Sequence, residues 1–166
     1  MVAQGLAVRH PELLRGVVIA NSTAQYPAAA REIWAQRIAL VEREGLAAVA
    51  DTTMERWFTP AFRAAQPAIV ERHRQTILRG NPGGYLACCH AVAAVDWLDR
   101  LAPVRTPALV IAGTQDAGAP PAMSEAIAAR IRGARLELLD TAHLSVAEQP
   151  QVFERLLRGF IGGLPN

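Results

Sequence analysis

The chain has 166 residues, 51% of them hydrophobic, and a formal net charge of +2 from 17 basic and 15 acidic residues. Because the two signs are interspersed, there is no basic stripe of the kind that nucleic-acid binding requires, and we expect no nucleic-acid partner. No apolar run approaches the roughly 18–20 residues of a membrane span, and the first residues lack a signal-peptide pattern. We therefore expect no membrane partner and a cytoplasmic location.

The first part of the chain predicts a helix and then a strand. Residues 2–10 carry apolar side chains among alanines, and His10-Pro11 is a helix stop signal. Residues 14–20 form an apolar run that predicts a strand, and Asn21-Ser22-Thr23 follows at its carboxyl end. In open parallel sheets this end of the strands is where ligands bind.

From residue 27 to about residue 100 the pattern becomes helical. Apolar residues recur at three- and four-residue steps from Ile33 to Val49. Prolines at positions 60, 67 and 82 divide the stretch into about four helices. A helical insertion of this kind is typical of a cap that closes over a crevice and excludes water.

The last part of the chain predicts two further strands. They are Ala108–Gly113 and Arg135–Leu139, joined by an amphipathic helix through Ile127 that stops near Gly133. A terminal helix with one broad apolar face follows over residues 152–161. Continuous apolar strands of this type are typical of a parallel sheet covered by helices on both faces.

A candidate catalytic residue follows each of these two strands: Asp116 after the first and His143 after the second. Since the carboxyl ends of parallel strands share one edge, we expect the two side chains to meet at hydrogen-bonding distance. A base histidine needs a carboxylate on its Nδ1–H, and acid before base is the chain order of the α/β-hydrolases. The structural alternative is that Asp116 begins a turn before Pro120-Pro121 and caps the helix near Ser124, while His143 is a loop residue.

The segments around these two residues resemble those of a known enzyme family. Gly113-Thr-Gln-Asp-Ala-Gly-Ala-Pro-Pro121 and Ala142-His-Leu-Ser-Val-Ala-Glu-Gln-Pro150 resemble the acid and histidine loops of the 3-oxoadipate enol-lactonases, which are α/β-hydrolases. Residues 1–12 are similar to the helix after that family's nucleophile elbow, and residues 80–90 to a segment of its helical cap. The resemblance covers essentially the whole chain.

The fold implied is α/β: the C-terminal portion of an α/β-hydrolase fold, with parallel strands, flanking helices and a helical cap insertion. We expect residues 1–26 and 101–166 to form the partial α/β-hydrolase core and residues 27–100 to form the cap.

The nucleophile of this family is absent from the sequence. Gly-x-Ser-x-Gly places the serine on a strained strand-to-helix turn, and none of Ser22, Ser124 and Ser145 has glycines at that spacing. Residue 1 aligns just after the family's elbow, so we expect a truncated or misplaced gene start. The alternatives are a remnant and a separate polypeptide that carries the missing half. Ser22 is a weak substitute because nothing around it resembles an elbow.

The resemblance implies a serine hydrolase that converts an enol-lactone ester to 3-oxoadipate in the β-ketoadipate pathway of aromatic-compound catabolism, without a cofactor. In the complete family enzyme, His143 acts as base and then acid, and Asp116 orients it. Trp57 then provides an aromatic surface that contacts the substrate, and Arg56 binds the carboxylate of the substrate. The alternative for Trp57 is that it packs in the core of the cap. Four scattered histidines predict no metal site.

Two other functions stay open. The chain could be another capped hydrolase, an esterase or a C–C hydrolase, because loops rather than the fold determine the substrate. It could also be an inactive fragment that binds or oligomerises through an exposed sheet edge. The partners that we expect are a small lactone or ester, and a second copy or the missing half.

Overall fold

The computed structural model describes residues 1–165. These residues form two compact units: a sheet unit, made of residues 1–25 and the chain from residue 96 onward, and a helical unit, Tyr26–Val95. The elements of the sheet unit are α1 (Val2–Arg9), β1 (Val17–Ala20), β2 (Ala108–Gly113), α7 (Pro121–Arg130), β3 (Arg135–Leu139), α8 (Ser145–Glu148) and α9 (Pro150–Gly162). Those of the helical unit are α2 (Ala28–Glu44), α3 (Ala47–Trp57), α4 (Pro60–Ala65), α5 (Pro67–Leu78) and α6 (Pro82–Ala93).

The sheet unit contains a parallel sheet in the order β1-β2-β3. Val17 pairs with Ala108 at the start of the first ladder, and Leu109 pairs with Arg135 at the start of the second. Every residue of the central strand β2 is buried. Helices cover both faces of the sheet: Ala7 of α1 and Ile127 of α7 pack on one face, and the apolar side of α9 packs on the other.

Strand β1 is shorter than the sequence predicts, because it begins at Val17 rather than at Leu14. A 3₁₀ turn occupies Pro11–Leu13, and the first bond of the ladder runs from the Val17 N–H to the Pro107 carbonyl oxygen at 2.8 Å. Pro107 has no N–H to donate, so β1 has no ladder to join upstream of this point.

The helical unit has five helices among the described residues rather than about four. The apolar series from Ile33 to Val49 belongs to two helices, because α2 ends at Gly45, whose φ of 77° is a left-handed conformation that favours glycine. Ile33 is 55% exposed, whereas Ile38 and Val41 form the buried side of α2.

No helix within residues 1–165 is both long enough and apolar enough to cross a membrane. The two predicted strands Ala108–Gly113 and Arg135–Leu139 have the predicted bounds. The proposed role of residues 27–100 as a cap remains a prediction.

Candidate active site

Asp116 and His143 lie in the loops that follow β2 and β3. We call residues 114–120 the acid loop and residues 140–144 the histidine loop. The structure brings the two side chains together: His143 Nδ1 is 2.7 Å from Asp116 Oδ2. The Asp116 residue is only 2% exposed. The contact that the sequence predicts is therefore present, at the carboxyl ends of adjacent parallel strands.

The second carboxylate oxygen of Asp116 holds the acid loop in shape. Oδ1 accepts hydrogen bonds from the backbone N–H groups of Gly118, at 2.8 Å, and Ala119, at 2.9 Å. This is the turn role that we considered as an alternative to catalysis. The turn bonds and the histidine contact coexist, because one oxygen bonds the turn and the other contacts the histidine.

The surroundings of Asp116 favour its charged form. Burial raises the pKa of this carboxyl group, but the hydrogen bond and charge of His143 and the two N–H donors outweigh burial and lower the pKa below its usual value. The carboxylate is therefore an acceptor, and His143 must donate from Nδ1.

This contact leaves the other ring nitrogen of His143 available. The His143 side chain is 31% exposed, and Nε2 makes no hydrogen bond to any other residue in the range 1–165. With its proton held on Nδ1, the neutral ring presents a lone pair at Nε2. That arrangement can accept a proton from a nucleophile and return it to a leaving group.

The two loops are joined by backbone contacts that continue beyond the end of the sheet. Thr114 N–H donates to the Leu139 carbonyl oxygen at 2.8 Å, and Gln115 N–H donates to that of Thr141 at 3.0 Å. Within the histidine loop, Ala142 N–H donates to Glu148 Oε1 at 2.7 Å. The position of His143 is thus determined by backbone bonds as well as by Asp116.

Glu148 and Asn21 both contact the histidine loop, although their sequence pattern predicts no role for either. Glu148 lies in the segment that resembles the enol-lactonases, so the motif contained it without indicating its contact. Asn21 was placed near the crevice by its position after β1, and its side chain bonds Ala142 and Asp116.

Ser22 is hydrogen-bonded to residues other than His143. It is 8% exposed, and its hydroxyl group donates to the Thr23 carbonyl oxygen at 3.3 Å and accepts from Gln4 Nε2 at 3.5 Å. No hydrogen bond joins Ser22 to His143 within the part of the chain that the structure describes. These contacts are those of a buried turn residue.

Trp57 and Arg56 belong to the helical unit, at the end of α3. The Trp57 ring packs edge-on against His73 with 6.5 Å between centroids, and the buried Phe58 ring also contacts His73 at 5.3 Å. Arg56 and Trp57 are both half-buried. The contact with His73 is the packing role that we considered for Trp57, and substrate roles for these two residues remain predictions.

Within residues 1–165, no three His, Cys, Asp or Glu side chains lie close enough together to hold a metal ion.

Comparison with known proteins places this geometry in a family. No protein-family model matches the chain. The chain is 37% identical over 153 residues to 3-oxoadipate enol-lactonase 2 of Acinetobacter baylyi, covering 92% of this chain and 57% of the relative. The solved enol-lactonase of Burkholderia xenovorans LB400 superimposes with a TM-score of 0.92 at 31% identity, covering 96% of this chain and 61% of that one. The chain has part of the α/β-hydrolase fold.

The predicted relationship to the 3-oxoadipate enol-lactonases is also confirmed. A second relative, 3-oxoadipate enol-lactonase 1 of Acinetobacter baylyi, is 29% identical over 161 residues, which are 97% of this chain and 60% of that relative. The predicted α/β class and partial α/β-hydrolase fold are confirmed by the same superposition and by the parallel sheet. The chain spans between 57% and 61% of the length of these three proteins.

Proposed function

We propose that this chain supplies the general base and its orienting acid to an ester hydrolase that opens 3-oxoadipate enol-lactone. The observation that carries the proposal is the 2.7 Å contact between His143 Nδ1 and Asp116 Oδ2. The names of the two curated relatives support the substrate.

The mechanism follows from the two ring nitrogens of His143. Nε2 accepts the proton of a serine hydroxyl as that oxygen attacks the lactone carbonyl, and Asp116 stabilises the imidazolium that forms. The imidazolium then protonates the departing enol oxygen as the ring C–O bond breaks. Water, deprotonated by the same Nε2, hydrolyses the acyl-enzyme, and the released enol converts to the ketone of the product.

The nucleophile in this proposal lies outside residues 1–166. The sequence has no Gly-x-Ser-x-Gly, and Ser22 is bonded to its own neighbours rather than to His143. Strand β1 is bonded to β2 along one edge, and within the described residues its other edge has no partner strand. A parallel strand on that edge would bring its own carboxyl end, and a serine beyond it, to the same side of the sheet as His143.

The helical unit supplies the substrate contacts in this proposal. Trp57 provides an aromatic surface for a small ring, and the Arg56 guanidinium binds a carboxylate. If they act this way, Trp57→Phe and Arg56→Lys raise KM more than they lower kcat. His90→Ala, which changes an exposed residue of α6, is the control that leaves both constants unchanged.

The decisive experiment begins with the DNA upstream of codon 1. An in-frame Gly-x-Ser-x-Gly there allows the extended chain to be expressed and tested on 3-oxoadipate enol-lactone, with the His143→Ala and Asp116→Asn variants as controls. Hydrolysis that depends on both residues supports the proposal. A stop codon at that point, or hydrolysis that is indifferent to His143, contradicts it.

The same assay separates the two alternatives. A panel of simple esters and C–C substrates identifies another capped hydrolase if one of them is cleaved faster than the lactone. An inactive module that acts through the open edge of β1 is indicated by a stop codon upstream together with stable self-association.

A further inference from the structure

The side chain of Asn21 bonds both of the loops that carry the candidate catalytic pair. Its Nδ2 donates to the Ala142 carbonyl oxygen at 3.1 Å and to Asp116 Oδ2 at 3.4 Å. Its Oδ1 accepts a hydrogen bond from the Ser145 hydroxyl group. Ala142 and Ser145 lie on either side of His143 in the chain, so one amide group links the acid to both flanks of the histidine.

We propose that Asn21 is a positioning residue that holds His143 in register with Asp116 and keeps its proton on Nδ1. The inference rests on the proposed function, since it gives Asn21 a role toward the general base and acid. It adds a third strand to the site, because Asn21 follows β1 just as the acid and the base follow β2 and β3.

The chemistry of the three partners allows only one orientation of the Asn21 amide. A carbonyl oxygen and a carboxylate oxygen both accept hydrogen bonds, so the group that faces Ala142 and Asp116 must be the NH₂ donor. The opposite orientation would place Oδ1 against two acceptors. The Ser145 hydroxyl can donate to Oδ1, and this bond stabilises the orientation that serves the catalytic pair.

The backbone of Asn21 explains why asparagine suits this position. Asn21 has a φ of 44°, in the left-handed region that asparagine adopts more readily than most residues with a side chain. Its N–H donates to the Ile111 carbonyl oxygen at 2.8 Å, which anchors the residue on β2. Glycine also accepts this φ, but it has no amide to bond the loops.

The test measures the protonation of His143 directly. The chain is labelled with ¹⁵N-histidine, and long-range ¹H–¹⁵N spectra are recorded at a pH where imidazole is neutral; His143→Ala assigns the signals. We expect protonated Nδ1 and unprotonated Nε2 in the wild type. In Asn21→Gly, which keeps the backbone conformation, we expect the two ¹⁵N shifts to move toward each other as the tautomers mix.

Two further variants control this measurement. Ser145→Ala leaves Asn21 in place but frees its amide to rotate, so we expect the two ¹⁵N shifts of His143 to move in the same way at smaller amplitude. This variant also tests the proposal if Asn21→Gly does not fold. Asp140→Ala removes an acceptor that bonds Thr114 and Gln115 across the same loops, and it should keep the wild-type spectrum. A wild-type spectrum in the folded Asn21→Gly variant, or in Ser145→Ala if only that variant folds, would overturn the proposal.

The spectrum needs no substrate, so this result is independent of catalysis. Loss of the Nδ1-protonated form in the variants supports the positioning role even if no lactone is hydrolysed. Failure of the extended chain to hydrolyse the lactone contradicts the proposed function and leaves the spectral result unchanged.

Discussion

Gly113 and Ala142 lie so close together that only glycine fits at position 113. A Cβ atom on Gly113 would be 2.3 Å from the Ala142 carbonyl oxygen and 2.4 Å from that of Thr141. Both neighbours are backbone atoms, which cannot rotate away as the end of a side chain can. The close approach lets the acid loop and the histidine loop run side by side.

Gly113→Ala should therefore lower the free energy of unfolding. Overpacking typically costs about 1–3 kcal/mol, and occasionally more, and the clash with the backbone predicts an effect at the upper end of this range. Urea-induced unfolding measures it. Gly159→Ala is the control: among the described residues, no atom outside the adjacent turns of its own helix lies within 4 Å of that Cβ position. Replacing a helix glycine there should stabilise α9 by about 0.5–1 kcal/mol. Equal effects of the two substitutions would contradict this account.

The low pKa of Asp116 predicts a particular loss of stability in acid. Because the pKa of this carboxyl group is lowered in the folded protein, the unfolded chain binds a proton more readily, and protonation favours unfolding. The contribution of the Asp116 carboxylate to the free energy of unfolding is fully present above the unfolded aspartate pKa of about 3.9. It is lost as the pH falls through the pKa of Asp116 in the folded protein. Asp116→Asn should flatten this part of a stability-against-pH curve. Identical slopes in the wild type and in Asp116→Asn would refute the prediction.

Purified residues 1–166 alone should show no lactone hydrolysis above background. In our proposal the chain supplies a base and an acid, but its sequence has no nucleophile elbow. Loss of the nucleophile in a serine protease costs on the order of a million-fold in rate. The measurement is lactone turnover at high protein concentration, with His143→Ala beside the wild type. Turnover that disappears in His143→Ala would show that the chain has its own nucleophile, and Ser22→Ala would then be the next variant to test.

The isolated chain should self-associate or be poorly soluble. Within residues 1–165, one edge of β1 pairs with no strand, and such an edge offers unpaired backbone groups. The adjacent helix α1 exposes Val2, at 79%, and Leu6, at 38%. Light scattering over a range of concentrations is the measurement. The double variant Val2→Glu/Leu6→Glu should be more dispersed, whereas Ile161→Glu, which changes an apolar residue on α9 that is 61% exposed, should have little effect. A wild-type chain that remains monomeric throughout would mean that the edge needs no partner.

The sequence alone determined the strands on which the site depends. Ala108–Gly113 is a continuous apolar run that follows Pro107, and Arg135–Leu139 carries three leucines and follows Gly133 closely. Such local signals do not depend on distant residues. Asp116 and His143 follow these strands directly, so the rule for the carboxyl ends of parallel strands predicted that they would meet.

Only the tertiary structure decided the contacts that depend on packing and pairing. The start of β1 is set by Pro107, which precedes its partner strand β2, and the exposure of Ile33 by which side of α2 is packed. The bonds of Asn21 are set by two loops about a hundred residues away in sequence. No local pattern indicates such partners, because a side chain's hydrogen bonds depend on which donors and acceptors the whole fold brings within reach. Asn21 therefore looks like an ordinary turn residue in the sequence, and its link to the acid and the histidine appears only once the three strands lie side by side.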